Sequence, residues 1–398
     1  MKKVLFGTTA IVAAAFAGQA LANGSVQHND GVTLKVGGYF VAGVGIGNFS
    51  ERRGEYDAFD EDGREYASTL NGEDLEKDFH IINDGEIHFK AKGTLDNGIG
   101  IEVRVELEAF GEGDVIDEHW MKVKTAFGTI LIGSNDTALD NVAGGIGRMK
   151  GGIAGGSWDH GYTFVPGATS YHLGDDGDNY AIHYYTPNIS GFEFGVSYAP
   201  DLGTDGVDCG ASTGISTNCS VTNSNDLITV GASWAGTLGD IDLAIGGGYS
   251  TGEGDDVAGN TAEVSTWGGG VELGFGAVTI GGAYLNREIE DNAGNGNLNT
   301  FLAGDEADIT QYGVGIEYEN GPWVFGLSGL IQDVDDTTAA AATAADFDSF
   351  LINGAIGYEL GDGVNLGLGI DYGEVDFDNA AFNDEEGFGG KLLLGVKF

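Results

Sequence analysis

The chain carries the stretch VNLGLGIDYG at positions 364–373 and ends with KLLLGVKF at positions 391–398. In the final stretch the large apolar residues occupy every second position: Leu392, Leu394, Val396 and Phe398. The earlier stretch shows the same spacing: Val364, Leu366, Leu368, Ile370 and Tyr372. Successive side chains point to opposite faces of a β-strand, so this period of two predicts strands with one apolar face and one small or polar face.

The same alternation marks about 16 segments along the chain, each roughly ten residues long. We predict strands at residues 32–47, 79–93, 99–110, 118–126, 128–135, 179–187, 192–199, 226–235, 241–251, 263–273, 277–286, 309–318, 323–333, 347–359, 364–375 and 388–398. Short turns with Asn-Gly and Asp-Gly pairs alternate with longer loops rich in Asp, Glu, Gly and Asn. Such pairs supply the positive φ angles that tight hairpins need. All short turns therefore lie at one end of the predicted sheet and the long loops at the other.

This pattern is typical of a transmembrane antiparallel β-barrel, an all-β fold. An open sheet edge in hydrocarbon would leave backbone amides and carbonyls unpaired, at a cost of several kcal/mol each, so the sheet has to close. A barrel of about 16 strands is too wide for its own side chains to fill, which predicts a water-filled lumen. A soluble β-sandwich is the alternative explanation of the same alternation.

The first 22 residues have the features of a secretory signal peptide. Lys2 and Lys3 precede an apolar run, and Ala20-Leu21-Ala22 fits the small-x-small cleavage pattern. We therefore expect a signal peptide at 1–22 and a single transmembrane barrel domain at 23–398, with an even strand number that places both termini on the periplasmic side of the outer membrane. No later stretch approaches the 18 consecutive apolar residues of a membrane-spanning helix. The formal net charge of −45 argues against nucleic acid as a partner.

Basic residues are concentrated in the first half of the chain, on the strand face opposite the apolar one. We expect them to form a pore-lining basic wall: Lys35, His88, Lys90, Lys92, Arg104, Lys122 and Lys124. Several glutamates share this face, among them Glu86, Glu102 and Glu106. After Lys150 only Arg287, Lys391 and Lys397 are basic, so the opposite wall is predicted to be acidic or small.

The longest connection, residues 136–178, is Gly-rich and too long for a simple hairpin loop. We expect it to fold into the lumen as a constriction loop and to carry acidic residues toward the basic wall: Asp136, Asp140, Asp159, Asp175, Asp176 and Asp178. The alternative is an external loop whose carboxylates are solvated.

The sequence resembles the Gram-negative general, non-specific porins, and most closely the alphaproteobacterial, Rhodobacter-type porins. The similarity rests on Gly85–Gly93 (GEIHFKAKG) leading into Leu95–Gly98 (LDNG), on Ala126–Asp136 (AFGTILIGSND) and on the terminal Phe398. It implies a homotrimer of 16-stranded barrels, a third loop folded inward, a transverse field between loop carboxylates and basic wall residues, and bound calcium in some members. This chain has more lysine than arginine on its basic wall, with glutamates between, which argues against a strongly anion-selective pore.

We therefore expect an outer-membrane porin that lets small hydrophilic solutes and ions diffuse passively, surrounded by outer-membrane lipid and lipopolysaccharide. No required cofactor and no enzyme activity are expected, since the seven histidines are scattered and no nucleophile elbow or phosphate-binding loop occurs. A structural Ca²⁺ bound by several acidic loops stays open, and its ligands are unknown. The alternative from another class is a secreted acidic calcium-binding β-roll or surface protein, which should show tandem Gly-Gly-x-Gly-x-Asp repeats. None is present.

Cys209 and Cys219 are the two cysteines of the chain and lie in a Gly/Ser/Thr/Asn/Asp-rich stretch. In an exported protein this placement predicts a disulfide that closes a short loop. Alkylation of the unfolded protein without reductant should therefore modify neither thiol, whereas prior reduction should expose both. Stoichiometric modification of both thiols without reductant would show that the bond does not form.

Overall fold

The computed structural model describes residues 25–27, 32–49, 58–59, 65–66, 79–109, 116–149, 151–155, 180–200, 224–255, 261–291, 307–336, 346–378 and 384–398. Sixteen strands form one closed antiparallel barrel. They are β1 Val32–Phe49, β2 Phe79–Thr94, β3 Gly100–Glu108, β4 Ile116–Thr125, β5 Gly128–Ser134, β6 Tyr180–Tyr185, β7 Phe192–Ala199, β8 Ser224–Leu238, β9 Ile241–Asp255, β10 Thr261–Phe275, β11 Val278–Asp291, β12 Ala307–Asn320, β13 Trp323–Asp336, β14 Phe347–Gly361, β15 Val364–Phe377 and β16 Glu385–Lys397.

Each barrel strand pairs with its two neighbours along the chain, and β16 pairs with β1 from Lys397↔Tyr39 to Gly387↔Phe49. The terminal residue adds to this seam, since Gly38 and Phe398 exchange two backbone hydrogen bonds of 3.0 Å. The short strand Ser25–Gln27 pairs with β1 beyond the end of β16. The predicted 16-stranded barrel is confirmed, and no described barrel strand has an unpaired edge.

Seven short turns join alternate strand pairs, and glycines with positive φ lie in most of them. Gly363, between β14 and β15, shows why. Its φ is 75°, and a Cβ there would lie 2.4 Å from the carbonyl oxygen of Lys397. The turn can therefore approach the end of β16 only because the residue has no side chain.

The outer face of the barrel is apolar. Many large apolar side chains are exposed there, for example Val314 at 63% and Ile370 at 61%. Aromatic pairs flank this band at both ends: Trp323 packs on Tyr358 at 4.5 Å near the short turns, and Trp267 packs on Tyr284 at 4.9 Å toward the long loops. An apolar band between two aromatic girdles is the exterior that a lipid-spanning barrel presents.

The inner wall has two unlike sides. Strands β1 to β4 carry charged side chains inward, and strands β7 to β16 carry mainly Gly, Ala, Ser and other small residues. Residues 136–149 and 151–155, which we call the inner segment, follow β5 and include one π-helical turn at Asp140–Gly144. Among the described residues, no helical segment has the length and apolar character to cross a membrane.

The buried apolar clusters lie mostly between the inner segment and the barrel wall. Leu139 and Ala143 pack with Leu285 and Leu330 of β11 and β13. Ala154 packs with Ile82 of β2 and Leu393 of β16. The described hydrophobic core thus lies along the inner wall of the lumen. Its contacts hold the inner segment against that wall.

Replacing Val314→Arg at the centre of the outer apolar band should weaken folding into lipid bilayers by about 2–4 kcal/mol, because a charge at the bilayer midplane is poorly solvated. The matched change Asn320→Arg, at the short-turn end of the same strand, should cost only about 0–1 kcal/mol. Equilibrium denaturant unfolding in lipid vesicles measures both values. Equal costs at the two positions would contradict the assigned lipid face.

Candidate functional site: a lumen narrowed from one side

The inner segment crosses the small-residue wall from β7 to β16. At each strand it meets a glycine, whose missing side chain leaves room for it. The contacts run in order along the barrel: Ala138 at Gly195, Leu139 at Gly231 and Gly248, Ile146 at Gly246 and Gly270, Met149 at Gly281 and Gly315, Gly151 at Gly326, Gly152 at Gly357, and Ile153 and Ala154 at Gly367 and Gly395. The segment therefore lies flat on the wall, and within the described part of the chain it leaves the charged side chains of β2 to β4 uncovered.

Two positions show how close this approach is. A Cβ at Gly270 would lie 1.9 Å from the carbonyl oxygen of Ile146. Gly147 has a φ of 91°, and a Cβ there would lie 2.3 Å from the carbonyl oxygen of Gly282. Both distances fall below any van der Waals contact, so a side chain at either glycine would push the segment off the wall.

Three wall side chains also accept hydrogen bonds from the backbone of the segment. Ser197 of β7 accepts from the amide of Ala138 at 3.0 Å. Glu272 of β10 accepts from Gly147 at 2.9 Å, and Glu317 of β12 accepts from Gly151 at 2.8 Å. Two carboxylates of the acidic wall thus hold the segment in place, in addition to contributing charge.

The segment ends over a buried ion pair. Nζ of Lys391 on β16 lies 3.2 Å from Oδ2 of Asp371 on β15, and both side chains are fully buried. Asn353 on β14 donates to the other carboxylate oxygen at 2.5 Å. A buried pair of this kind is costly to break, because either partner alone would be an uncompensated charge.

On the uncovered wall, Glu102 of β3 is the centre of a lysine cluster. Its carboxylate lies 3.4 Å from Nζ of Lys90, 3.1 Å from Lys92 and 3.0 Å from Lys124. Lys35 of β1 is the register partner of Lys90 and joins the same row of charges. One buried carboxylate therefore partly neutralises three lysines, and Lys35 extends the row of positive charge beyond them.

A second cluster surrounds Arg104, which forms an ion pair with Glu106 of the same strand. Nη2 of Arg104 lies 3.4 Å from Nδ1 of His88. On the neighbouring strand β4, Nζ of Lys122 lies 4.4 Å above the ring of Trp120, within range of a cation–π contact. Basic residues on this wall are thus interleaved with acids and one aromatic ring.

The predicted basic residues differ in their depth within the barrel. The inner segment meets β12 and β13 at Gly315 and Gly326, a few residues from the short turn that joins these strands. Lys90, Arg104 and Lys122 lie at similar distances from their own short turns. In the sheet register Lys90 pairs with Arg104, Glu102 pairs with both Lys92 and Lys122, and Lys124 pairs with Gly100 at the end of its strand. The basic residues therefore form successive rows on this wall, with Lys124 nearest the short turns.

The predicted acidic residues are placed as follows. Asp140 lies 3.8 Å from Arg148, an ion pair within the inner segment itself. Asp136, just past β5 and outside the strands, is near Asp140, Glu118 and Asp117. Burial, reinforced by these carboxylates, raises the pKa of Asp136 well above its ordinary value. Asp159, Asp175, Asp176, Asp178, Cys209 and Cys219, and the signal peptide at 1–22, lie outside the described residues.

Sequence reasoning missed the function of Glu272 and Glu317 as acceptors, and it missed the ion pair of Arg148. A signal for the segment's path was present. Gly195, Gly231, Gly270 and Gly315 all fall on inward positions of small-residue strands, and apolar residues recur at Leu139, Val142, Ile146 and Met149. Such spacing within a polar, Gly-rich loop indicates a face that packs against something.

Comparison with known proteins gives a family and a set of similar folds. The sequence profile of a family described as Gram-negative porin matches residues 7–380. An anion-selective porin from Comamonas acidovorans is 15% identical, with a TM-score of 0.57, over 92% of this chain and 100% of that one. The trimer form of OmpT, an outer membrane protein of Vibrio cholerae, is 15% identical, with a TM-score of 0.56, over 93% and 100%. The outer membrane channel DcaP of Acinetobacter baumannii is 13% identical, with a TM-score of 0.59, over 95% and 100%. No curated protein sequence matches the chain.

Because the folded protein raises the pKa of Asp136, it holds this proton more tightly than the unfolded chain does. The stability that this provides is lost as pH rises through the raised pKa. The change Asp136→Asn should therefore reduce the fall in thermal stability as pH rises, measured by loss of the folded gel band. Asp362→Asn, in an exposed short turn, should leave that fall as it is. Identical pH dependence of Asp136→Asn and the unmodified protein would contradict a buried, proton-binding Asp136.

Proposed function

The chain belongs to the Gram-negative porin family and forms an outer-membrane channel, and we propose that it carries small hydrophilic solutes and ions by passive diffusion through a gap beside the inner segment. One observation carries this proposal. A closed barrel of sixteen strands has a lumen that side chains do not fill, and among the described residues the inner segment covers one side of it while the charged wall stays open on the other.

The charges on the open wall account for the preference for polar solutes. Lys90, Arg104 and Lys122 alternate with Glu102 and Glu106 on the open wall. Water in such a gap is ordered by these charges, and an apolar solute offers no hydrogen bonds in exchange for displacing it. Polar solutes therefore pass at lower cost than apolar ones of the same size.

We expect modest selectivity that leans toward cations. The chain has 62 acidic and 17 basic residues, and the lysine cluster of the open wall is itself partly neutralised by Glu102. Fixed charges act on passing ions over about 8–10 Å at ordinary salt, so carboxylates at the mouths contribute too.

Assembly and environment belong to the proposal as well. Oligomer formation as a homotrimer is supported by the family and by the trimer form of the similar Vibrio cholerae protein. The outer apolar band would contact outer-membrane lipid, and the acidic long loops would meet lipopolysaccharide. An even number of strands is consistent with both termini on the periplasmic side. A structural Ca²⁺ among the acidic loops remains a prediction.

The porin family and the fold indicate a channel and not an enzyme. The β-roll alternative requires stacked parallel turns, whereas the described barrel strands pair antiparallel throughout.

Planar-bilayer recording on detergent-purified protein should show stepwise conductance. The change Gly270→Ala should lower the conductance of each step, because its methyl group would push Ile146 off the wall and into the open gap. The control is Gly354→Ala, on the outer face of β14, where a Cβ has no neighbour closer than 4.0 Å. Absence of stepwise conductance in the unmodified protein would contradict channel function. Conductance unchanged by Gly270→Ala alone would contradict the narrowing by the inner segment.

Neutralising the open wall should change ion selectivity without unfolding the barrel. The pair Lys122→Gln and Lys124→Gln removes two positive charges that face the lumen, so the reversal potential in a salt gradient should shift further toward cations. Lys397→Gln, at the end of β16, provides a single-charge comparison. A reversal potential that does not move in the double variant would mean that these lysines do not act on the permeating ions.

A further inference from the structure

Three side chains with metal-binding atoms converge on the open wall, beside the lysine cluster. Glu86 and His88 lie on β2, and Glu106 lies on β3 as the register partner of His88. Nε2 of His88 is 2.6 Å from Oε2 of Glu86 and 3.0 Å from Oε2 of Glu106. One ligand atom from each residue lies within 4.8 Å of the other two. The imidazole nitrogen thus points between two carboxylates.

We propose that Glu86, His88 and Glu106 bind a divalent transition-metal ion of the zinc type inside the lumen. One imidazole and two carboxylates, with a fourth position left to water, are a donor set that Zn²⁺ accepts in proteins. The proposal concerns binding at this site and goes beyond conduction of solutes.

The spacing of the three atoms suits such an ion. Tetrahedral ligands at about 2.1 Å from Zn²⁺ are about 3.4 Å from one another. The pairs at 2.6 Å and 3.0 Å therefore have to open by less than 1 Å, which small side-chain rotations provide.

The surroundings orient the ligands and give water access to them. The hydroxyl of Tyr39 donates to Oε1 of Glu86 at 2.9 Å, which leaves Oε2 directed at His88. The side chains of His88 and Glu86 are 22% and 16% exposed, whereas Glu106 is 4% exposed beneath them. A hydrated ion in the lumen therefore reaches two ligands directly and the third from the same side.

Arg104 limits the affinity of the site and sharpens its selectivity. It pairs with Glu106 and lies beside Nδ1 of His88, so one positive charge already offsets part of the two carboxylates. Ca²⁺ and Mg²⁺ need several oxygen ligands and gain little from an imidazole. An ion that bonds strongly to imidazole nitrogen gains more here, which favours Zn²⁺, Ni²⁺ or Co²⁺ over the alkaline-earth ions.

Co²⁺ is a suitable probe, because its visible absorption reports coordination by the protein whether or not the channel conducts. The full-length barrel in detergent should bind Co²⁺ with visible bands that Zn²⁺ removes and an equal concentration of Mg²⁺ does not. The change His88→Gln should weaken Zn²⁺ competition at least about tenfold, since loss of outer-shell groups alone costs roughly 10–100-fold.

The matched control is His119→Gln. His119 lies on β4 with its ring beside the hydroxyl of Tyr180, on the face of the sheet opposite to Glu106. It should leave the Co²⁺ spectrum and the Zn²⁺ competition unchanged. Glu106→Gln provides a second variant at the site. A gel band of the folded barrel that shifts only after heating shows that each variant is folded.

Equal Zn²⁺ affinity in His88→Gln, Glu106→Gln and the unmodified protein would overturn the proposal, even if the channel conducts. Loss of affinity in the two site variants, with His119→Gln unchanged, would support it, even if no conductance were found. In bilayers, Zn²⁺ at the site adds positive charge to the open wall of the lumen. It should therefore shift the reversal potential toward anions in the unmodified protein and not in His88→Gln.

Discussion

The structure depends on one constraint: hydrocarbon offers no hydrogen bonds, so a sheet that crosses it has to satisfy every backbone amide and carbonyl within itself. The seam between β16 and β1, extended by the terminal residue Phe398, meets that requirement. Closure also separates two solvents, with the apolar face turned toward lipid and the other face toward water. The alternation of side chains along each strand follows directly from this separation.

A wide lumen creates a second problem, because an unobstructed barrel would not discriminate between solutes. The inner segment addresses this by lying on a wall of glycines, where its own apolar residues become the buried core. Glu272 and Glu317 hold its backbone, and the ion pair of Lys391 with Asp371 supports its end. The charged side chains lie on the side of the lumen that the segment leaves open. One wall therefore carries the segment that narrows the lumen, and the other carries the charges that act on solutes.

The strands were predictable because their signal is local: a period of two can be counted residue by residue, and the sixteen predicted segments agree with the barrel strands to within several residues. The division of charge between the walls was also predictable, since parity determines which side of a strand faces inward. Contacts between residues on different strands could not be predicted from the sequence. Which strands receive the inner segment, and that Glu102 gathers three lysines, depend on inter-strand register and on distances between residues far apart in sequence. Two sequence signals indicated the path of the segment: glycines at inward positions of β7 to β16, and apolar residues that recur within the segment itself.

The position of the inner segment on the glycine wall can be tested by a disulfide between them. A Cβ at Gly246 would lie 3.1 Å from Cβ of Ala143, close to the 3.5–4.5 Å that disulfides prefer. In a background with Cys209→Ser and Cys219→Ser, the pair Ala143→Cys and Gly246→Cys should oxidise in the folded barrel and resist alkylation until reduced. The pair Ala143→Cys and Gly354→Cys, whose second position lies on the outer face, should stay reduced. Free thiols at both positions of the first pair under oxidising conditions, in a barrel that is folded, would contradict the placement of the segment inside the lumen.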